Sequence, residues 1–421
     1  MEQADADWLK KRHSTSWICI VYAFAIGMEY SCISTSLLYY LKEDLKLENP
    51  KLWYSVIMSL SAASASINAV ISGKLFDKTR RLKLFMLIFT MVTLVGNLLY
   101  TLQISVWFLA VGRFLCGLCD AAQPVISGEF SRLFKGQELT KKLSQYQALY
   151  AVGFVMGPAC PVLFGKINIQ ITEWLVLNQN NFVSIFMALV MLGMIPAITV
   201  GVHDLGKKED ICNREPEHSM NNFTAKDIVM NFDLILLIIS SALVNAIASI
   251  VELNINLMAS DWYQWSLDRL SITTFVCVFV YIVFMLTVAY KIIDTHLKLI
   301  FLLVFLLHAM CVLILMLPKL YPIYNIYWQE IQMVVSILLN SVTGLTIAVL
   351  ARALLFQMVP PDHASFSDGF RSTVTRVFSV LAFFAASWIY ENTIYVSPVI
   401  AFVMISTFFI LVSRRIYRPC T

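Results

Sequence analysis

Apolar runs of membrane-spanning length recur along the chain, each ending in a short polar or basic segment. A bilayer core of about 30 Å takes about 20 apolar residues as a helix. The pattern predicts twelve spans, at about 17–41, 53–75, 84–103, 105–129, 145–165, 182–202, 233–258, 270–290, 298–317, 333–356, 368–390 and 394–413. The first run follows Lys10, Lys11 and Arg12 but has no small-residue cleavage site, so it reads as a span and not a signal peptide. Short connections make neighbouring spans antiparallel. The longest connection, 203–231, carries Lys207, Lys208, Glu209, Asp210, Arg214, Glu215 and Glu217. It divides the chain into a tail (1–16), a six-helix bundle (17–202), a linker (203–231), a second six-helix bundle (232–413) and a second tail (414–421). The expected fold class is therefore an all-α membrane protein of about 12 transmembrane helices.

Composition removes the main competitor, a soluble enzyme. Of 421 residues, 59% are hydrophobic and 14% charged, and the mean hydropathy is +0.73, beyond what a water-soluble domain carries. The lipid bilayer is thus a partner, and a small-molecule or ion substrate is the expected cargo. The net charge of +4 is spread over short loops, which suits membrane orientation and gives no reason to expect nucleic acid. Most bases lie on one side of the predicted spans, including Lys10, Lys11, Arg12, Lys78, Arg80, Arg81, Lys83, Arg132, Lys141, Lys142, Lys207, Lys208, Lys291, Arg414 and Arg415. That side, with both termini and the linker, is expected to be cytosolic, and the sequon at Asn222 would then be unmodified. Nine cysteines imply no disulfide framework. Cys116 and Cys119 have metal-ligand spacing but sit inside an apolar span, and His308 has no second ligand four residues on. No cofactor, metal site or catalytic residue is expected.

Between spans 2 and 3 the chain reads Gly73, Lys74, Leu75, Phe76, Asp77, Lys78, Thr79, Arg80, Arg81. This resembles the signature loop of the major facilitator superfamily, Gly-x-x-x-Asp-Arg/Lys-x-Gly-Arg/Lys-Arg/Lys, with Arg80 in place of the second glycine. Span 4 carries Arg113 and Gly117, similar to the family's Arg-x-x-x-Gly motif. Span 5 carries Gly153, Gly157 and Pro158, similar to its Gly-x-x-x-Gly-Pro motif. The resemblance implies the major facilitator fold of two six-helix pseudo-repeats, with Gly73, Gly117, Gly153, Gly157 and Pro158 packing helices closely. It also implies that Asp77, Lys78 and Arg81 hold a cytosolic gate. In the second half the matching loop, Tyr290 to Lys298, keeps only Asp294 and a later base. A narrower resemblance, to the lysosomal ceroid-lipofuscinosis type 7 branch, rests on Glu252, Leu257, Asp261, Tyr263 and Trp265 after span 7 and on Ser36, Tyr39, Tyr40 and Leu41 in span 1.

Ionisable groups at a helix centre cost about 2.5–3.5 kcal/mol on insertion scales and need a partner, a cavity or a role. Glu29, Arg113, Asp120, Glu252 and Arg376 fall inside spans. Arg113 and Asp120, seven residues apart, would share one face of span 4. The family lines its pathway with spans 1, 4, 7 and 10, which by resemblance places Glu29, Arg113, Asp120 and Glu252 there, and Asn245, at roughly the depth of Glu29, is expected to face it as well. Asn340 to Gly344 echo Arg113 to Gly117, so Asn340 is expected across the pathway from Arg113. Arg376 either faces that pathway or snorkels to the cytosol, and Arg352 is expected to snorkel. The reading is a secondary carrier of a small anionic solute attracted by Arg113, with or without proton coupling through Glu29 or Glu252. The alternatives are an endolysosomal anion (chloride) channel and a transport-inactive interaction protein. By resemblance the membrane is lysosomal or endosomal, with the plasma membrane as the alternative.

Overall fold

The computed structural model describes residues 2–134, 136–172, 175–205, 224–284, 299–311, 314, 326–359 and 363–413. The Asn222 sequon, most of the central linker, the Tyr290–Lys298 loop and the tail beyond residue 413 lie outside them. The first span belongs to α1 (Glu2–Tyr39), which continues through one π-helical turn, Tyr40–Asp44. Next come α2 (Pro50–Thr79), α3 (Leu82–Thr101), α4 (Val106–Cys119), α5 (Ala122–Leu133), α6 (Gly136–Leu163) and α7 (Gln179–Gly201). The second half has a short α8 (Ala225–Met230), then α9 (Phe232–Asp261), α10 (Leu267–Phe284), α11 (Leu299–Cys311), α12 (Ile326–Met358), α13 (Ala364–Glu391) and α14 (Thr393–Ser413).

Among the described residues nine of these segments are long and apolar enough to cross a bilayer, α4 and α5 together forming one of them, and α10, α11 and α14 add three further apolar helices. That is the twelve-helix plan expected from the hydrophobic runs. Large apolar side chains such as Ile67, Trp107, Leu189, Phe384 and Phe402 stand exposed on outer faces, as lipid-facing positions require.

Three local features depart from the sequence reading. Residues 2–16, expected as a tail, continue α1 as helix. Its polar turns are tied down: Arg12 donates to the carbonyl of Leu133 and pairs with Glu138 at 3.0 Å, and Ser14 donates to the carbonyl of Gly201. The loop before α7 forms a hairpin, β1 (Asn168–Thr172) antiparallel to β2 (Leu175–Asn178). Asp44 holds it by accepting from the side-chain amides of Asn178 and Asn180.

The third departure is in span 4, which is not one uniform helix. At Asp120 and Ala121 the bonding tightens, Asp120 N–H reaching the carbonyl of Gly117 and Gln123 N–H that of Asp120. Pro124 is the cause. It has no N–H to give the carbonyl four residues back, which is Asp120, and its ring crowds that carbonyl. Arg113 and Asp120, expected to share one face, take different partners.

Within the first half α1 packs on α6, α2 on α4, and α3 on α4 and α7; in the second, α9 packs on α13 and α12, and α10 on α12. Two seams join the halves, α2 and α5 against α13 and α6 against α10. The first is close because small residues line it. A Cβ on Gly73 would lie 2.6 Å from the carbonyl of Ser365, and one on Gly369 would lie 2.6 Å from that of Ala69. Thr373 also donates to the carbonyl of Ser66 across it.

A polar cavity between the two halves

Between the seams lies a cavity of about 210 Å³, walled by both halves. From the first half come Tyr30, Ser31, Ser34 and Thr35 of α1, Gln123 of α5, and Gln147, Tyr150 and Pro158 of α6; from the second come Asn245, Glu252 and Asn256 of α9, Asn340 and Arg352 of α12, and Arg371, Thr375 and Arg376 of α13. Of the residues expected on a pathway, Asn245, Glu252, Asn340 and Arg376 are in this wall. Arg376 thus faces the cavity. Glu29, Arg113 and Asp120 are not wall residues.

Arg113 Nη1 donates to Glu29 Oε1 at 2.6 Å, with side chains 2% and 7% exposed. The pair joins α4 to α1 inside the first half, so Asn340 does not face Arg113 across the cavity as expected. Asp120 reaches the cavity indirectly: its Oδ2 accepts from Arg376 Nη2 at 2.5 Å, an ion pair between the halves.

Glu252 forms no ion pair among the described residues; Tyr30 Oη donates to its Oε2 at 3.4 Å. One turn further along α9, the Asn256 amide donates to Tyr54 Oη at 2.9 Å, and Tyr54 in turn donates to the carbonyl of Ser34. Asn340 Oδ1 and Thr375 Oγ1 are buried with no hydrogen bond among the described residues, so the wall offers polar atoms that no described group satisfies.

The sequence reading missed the cluster at the end of the cavity nearest the α2–α3 turn. Arg352 was expected to snorkel, but it is buried: its Nε donates to Asp368 Oδ2 at 3.0 Å and its Nη1 to Gln147 Oε1 at 3.1 Å. Arg371 Nε donates to the other oxygen of Asp368 at 2.7 Å. The signal was present in the Asp368, Arg371 spacing at the start of span 11, three residues apart and so on one helix face.

At the same end Asp77 Oδ2 accepts the Phe366 N–H at 2.8 Å. This satisfies an orphan amide in the first turn of α13, where the helix dipole also favours a carboxylate. Arg80, in the position of the motif's second glycine, adopts the left-handed φ of 56° that a glycine would take, and its guanidinium lies 3.5 Å from Asp77 Oδ1. Lys78 and Arg81 are exposed beside it. Gly117 packs against Ser61 and Ser64 of α2, and Gly153 and Gly157 against the α1 backbone.

The opposite end is closed by different chemistry. Lys51 pairs with Asp261 at 2.5 Å and lies over the Tyr390 ring, Tyr39 Oη donates to the carbonyl of Trp265, and Lys42 donates to Ser260. The Lys51 and Asp261 side chains are 41% and 27% exposed. Lys51→Ala is accordingly expected to cost less than about 1 kcal/mol. A thermal-melt comparison checks this, and a loss several times larger would reject a solvated pair. His308, away from the cavity, lies 2.6 Å from Thr343 Oγ1 and ties α11 to α12.

Comparisons with known proteins agree with this geometry. Residues 19–329 match the family model of the Major Facilitator Superfamily. The class H tetracycline resistance protein of Pasteurella multocida is 26% identical over 151 residues, which is 36% of this chain and 36% of that protein. The match thus spans about a third of the length of that curated relative. Among solved structures, the human organic anion transporter MFSD10 (TETRAN) superposes with a TM-score of 0.71 at 12% identity, covering 95% of this chain and 99% of that one. A POT family transporter in complex with 5-aminolevulinic acid gives 0.72 at 11%, with 96% of each chain covered. The nucleoside transporter NupG gives 0.67 at 12%, covering 96% of this chain and 100% of its own. These likenesses are to the fold, and the family match spans most of the chain: it belongs to the Major Facilitator Superfamily and is a multi-pass membrane transporter.

Proposed function

We propose that this transporter is a secondary carrier that moves a small anionic solute by alternating access, with a proton carried on Glu252. The observation that carries the reading is one cavity, shared by both halves, in which Glu252 stands in the same wall as Arg352, Arg371 and Arg376. A midplane site between repeats with contacts at both of its ends suits a carrier that opens each end in turn. Arg371 and Arg376 are the residues proposed to meet the anion. Glu252 is preferred to Glu29 as the proton carrier because Glu29 is held by Arg113 away from the cavity, whereas Glu252 is in no ion pair among the described residues. Asp120 would position Arg376, and Asn245 and Asn340 would supply neutral hydrogen bonds. Asp77, with Lys78 and Arg81, would gate one end, which the excess of basic residues marks as cytosolic. The stretches that resemble the ceroid-lipofuscinosis type 7 branch meet each other at the opposite end, where Tyr39 reaches Trp265. The proposed lysosomal or endosomal assignment rests on the resemblance of these stretches.

Reconstitution in liposomes tests the carrier reading. One proton moved down a one-unit pH gradient concentrates a solute about tenfold. Glu252→Gln is expected to remove that concentration and to leave solute exchange running. Unchanged gradient dependence would reject Glu252 as the carrier of the proton. Anion current without saturation would replace the carrier by a channel.

A further inference from the structure

The charges around the cavity restrict what it can hold. Arg352 and Arg371 share one carboxylate, that of Asp368, so among the described residues one positive charge there is uncompensated. Arg376 is matched by Asp120. Glu252 is the only acidic residue in the cavity wall among the described residues. With Glu252 ionised the set is neutral; with Glu252 protonated it carries one positive charge. The groups facing Glu252 do not alter this count. They are Tyr30 on α1, Tyr54 on α2, Tyr150 on α6 and Arg376 on α13; the three phenols are neutral in the physiological range.

An uncompensated charge in a cavity shielded from water is costly. A monoanion entering beside ionised Glu252 leaves the set negative, and a dianion leaves it negative even when Glu252 is protonated. Among anions, only a monoanion arriving with one proton on Glu252 leaves it neutral. Arg376 makes the exchange local, because it is paired with Asp120 and also feels the charge of Glu252. Once the Glu252 carboxylate takes a proton, it no longer repels an anion approaching that guanidinium.

Resting on the carrier reading above, we propose that the solute is a monovalent organic anion taken up with one proton on Glu252, so that the loaded cavity carries no net charge across the membrane. The proton comes from the solution on the side to which the cavity is open and leaves on the other side with the anion. The wall's unsatisfied Asn340 Oδ1 and Thr375 Oγ1 favour a monoanion that also bears hydroxyl groups.

The test uses purified full-length protein with gluconate and lactate as monoanions, succinate as a dianion and alanine as a zwitterion. Tm shifts are read at pH 5.5 and 7.5. The expected result is that a monoanion binds more tightly at the lower pH, with apparent affinity changing by up to about tenfold per pH unit as one proton is linked. Glu252→Gln should bind it equally at both pH values. In liposomes the same anion should accumulate with the pH gradient and be indifferent to a clamped membrane potential. Preference for succinate, or alanine binding that Glu252→Gln abolishes, overturns the monoanion. Gradient-driven uptake that also responds to potential overturns the one-to-one count and leaves the carrier standing. No binding and no uptake of any of the four, in wild type and in Glu252→Gln, overturns the inference and the anionic reading together.

Discussion

Arg113→Met is expected to lose most of the folded protein, at a cost of about 3–5 kcal/mol, because it leaves Glu29 as an uncompensated charge in the membrane interior. The pair is almost wholly shielded, at 2% and 7% side-chain exposure, and short, at 2.6 Å. Desolvating each charge has already been offset by the other, so removing one partner exposes the whole penalty of the survivor. Glu29→Gln with Arg113→Met removes both charges and should recover much of the stability, since a buried pair exchanged for neutral groups of similar volume is often close to neutral. Size-exclusion profiles and thermal melts of the two single variants and the double variant measure the coupling. A wild-type melting profile for Arg113→Met would show that the pair does not hold α1 to α4. A double variant that folds yet no longer transports would give the pair a role in the cycle beyond packing.

Gly153→Leu should be nearly as damaging, for a steric reason. A Cβ there would press on the carbonyl of Phe24 and lie 2.9 Å from the N–H of Met28, both backbone atoms of α1. Backbone cannot turn aside as a flexible side chain can. The two helices would have to separate along a crossing that Gly27 and Gly157 also keep close. Overpacking of this kind costs about 1–3 kcal/mol and occasionally more, and here it also shifts Tyr150 and Pro158, which line the cavity. Gly153→Ala brings the same Cβ without the branched end, so a graded loss from Ala to Leu in expression and melting temperature is expected. Equal tolerance of both would mean that α1 and α6 do not pack as closely as the structure shows.

Much of the fold was legible because a bilayer imposes a demand that sequence alone displays. Any helix that crosses must bring about 20 apolar residues, whatever their order, and the runs from Trp17 to Val412 do so. The close crossings at Gly73, Gly117, Gly153 and Gly157 were legible for a related reason, since only a residue without a side chain lets two backbones meet at these distances. The hairpin at Asn168–Asn178 was not. Its strands, five and four residues long, are held by a distant partner, Asp44. The interruption at Asp120 could have been read from Pro124, because the missing N–H and the crowded carbonyl four residues back are fixed by covalent structure.

Which charge meets which could not be read in that way. Arg113 and Glu29 are 84 residues apart, Arg352 and Gln147 205, and Arg376 and Asp120 256. Counting along the chain put Arg113 and Asp120 together on one helix face, but their charges are matched by groups on α1 and α13. By itself the sequence determined that the chain crosses a membrane about twelve times, which residues are too polar to lie idle there, and where helices must come close. The tertiary structure decided that Arg113 is locked inside the first half, that Arg352 is buried, and that Glu252 and Arg376 share one cavity. The physical reason is that hydrophobicity and backbone sterics act on every residue where it stands, whereas an ion pair depends on distance in space, which only the packed helices set.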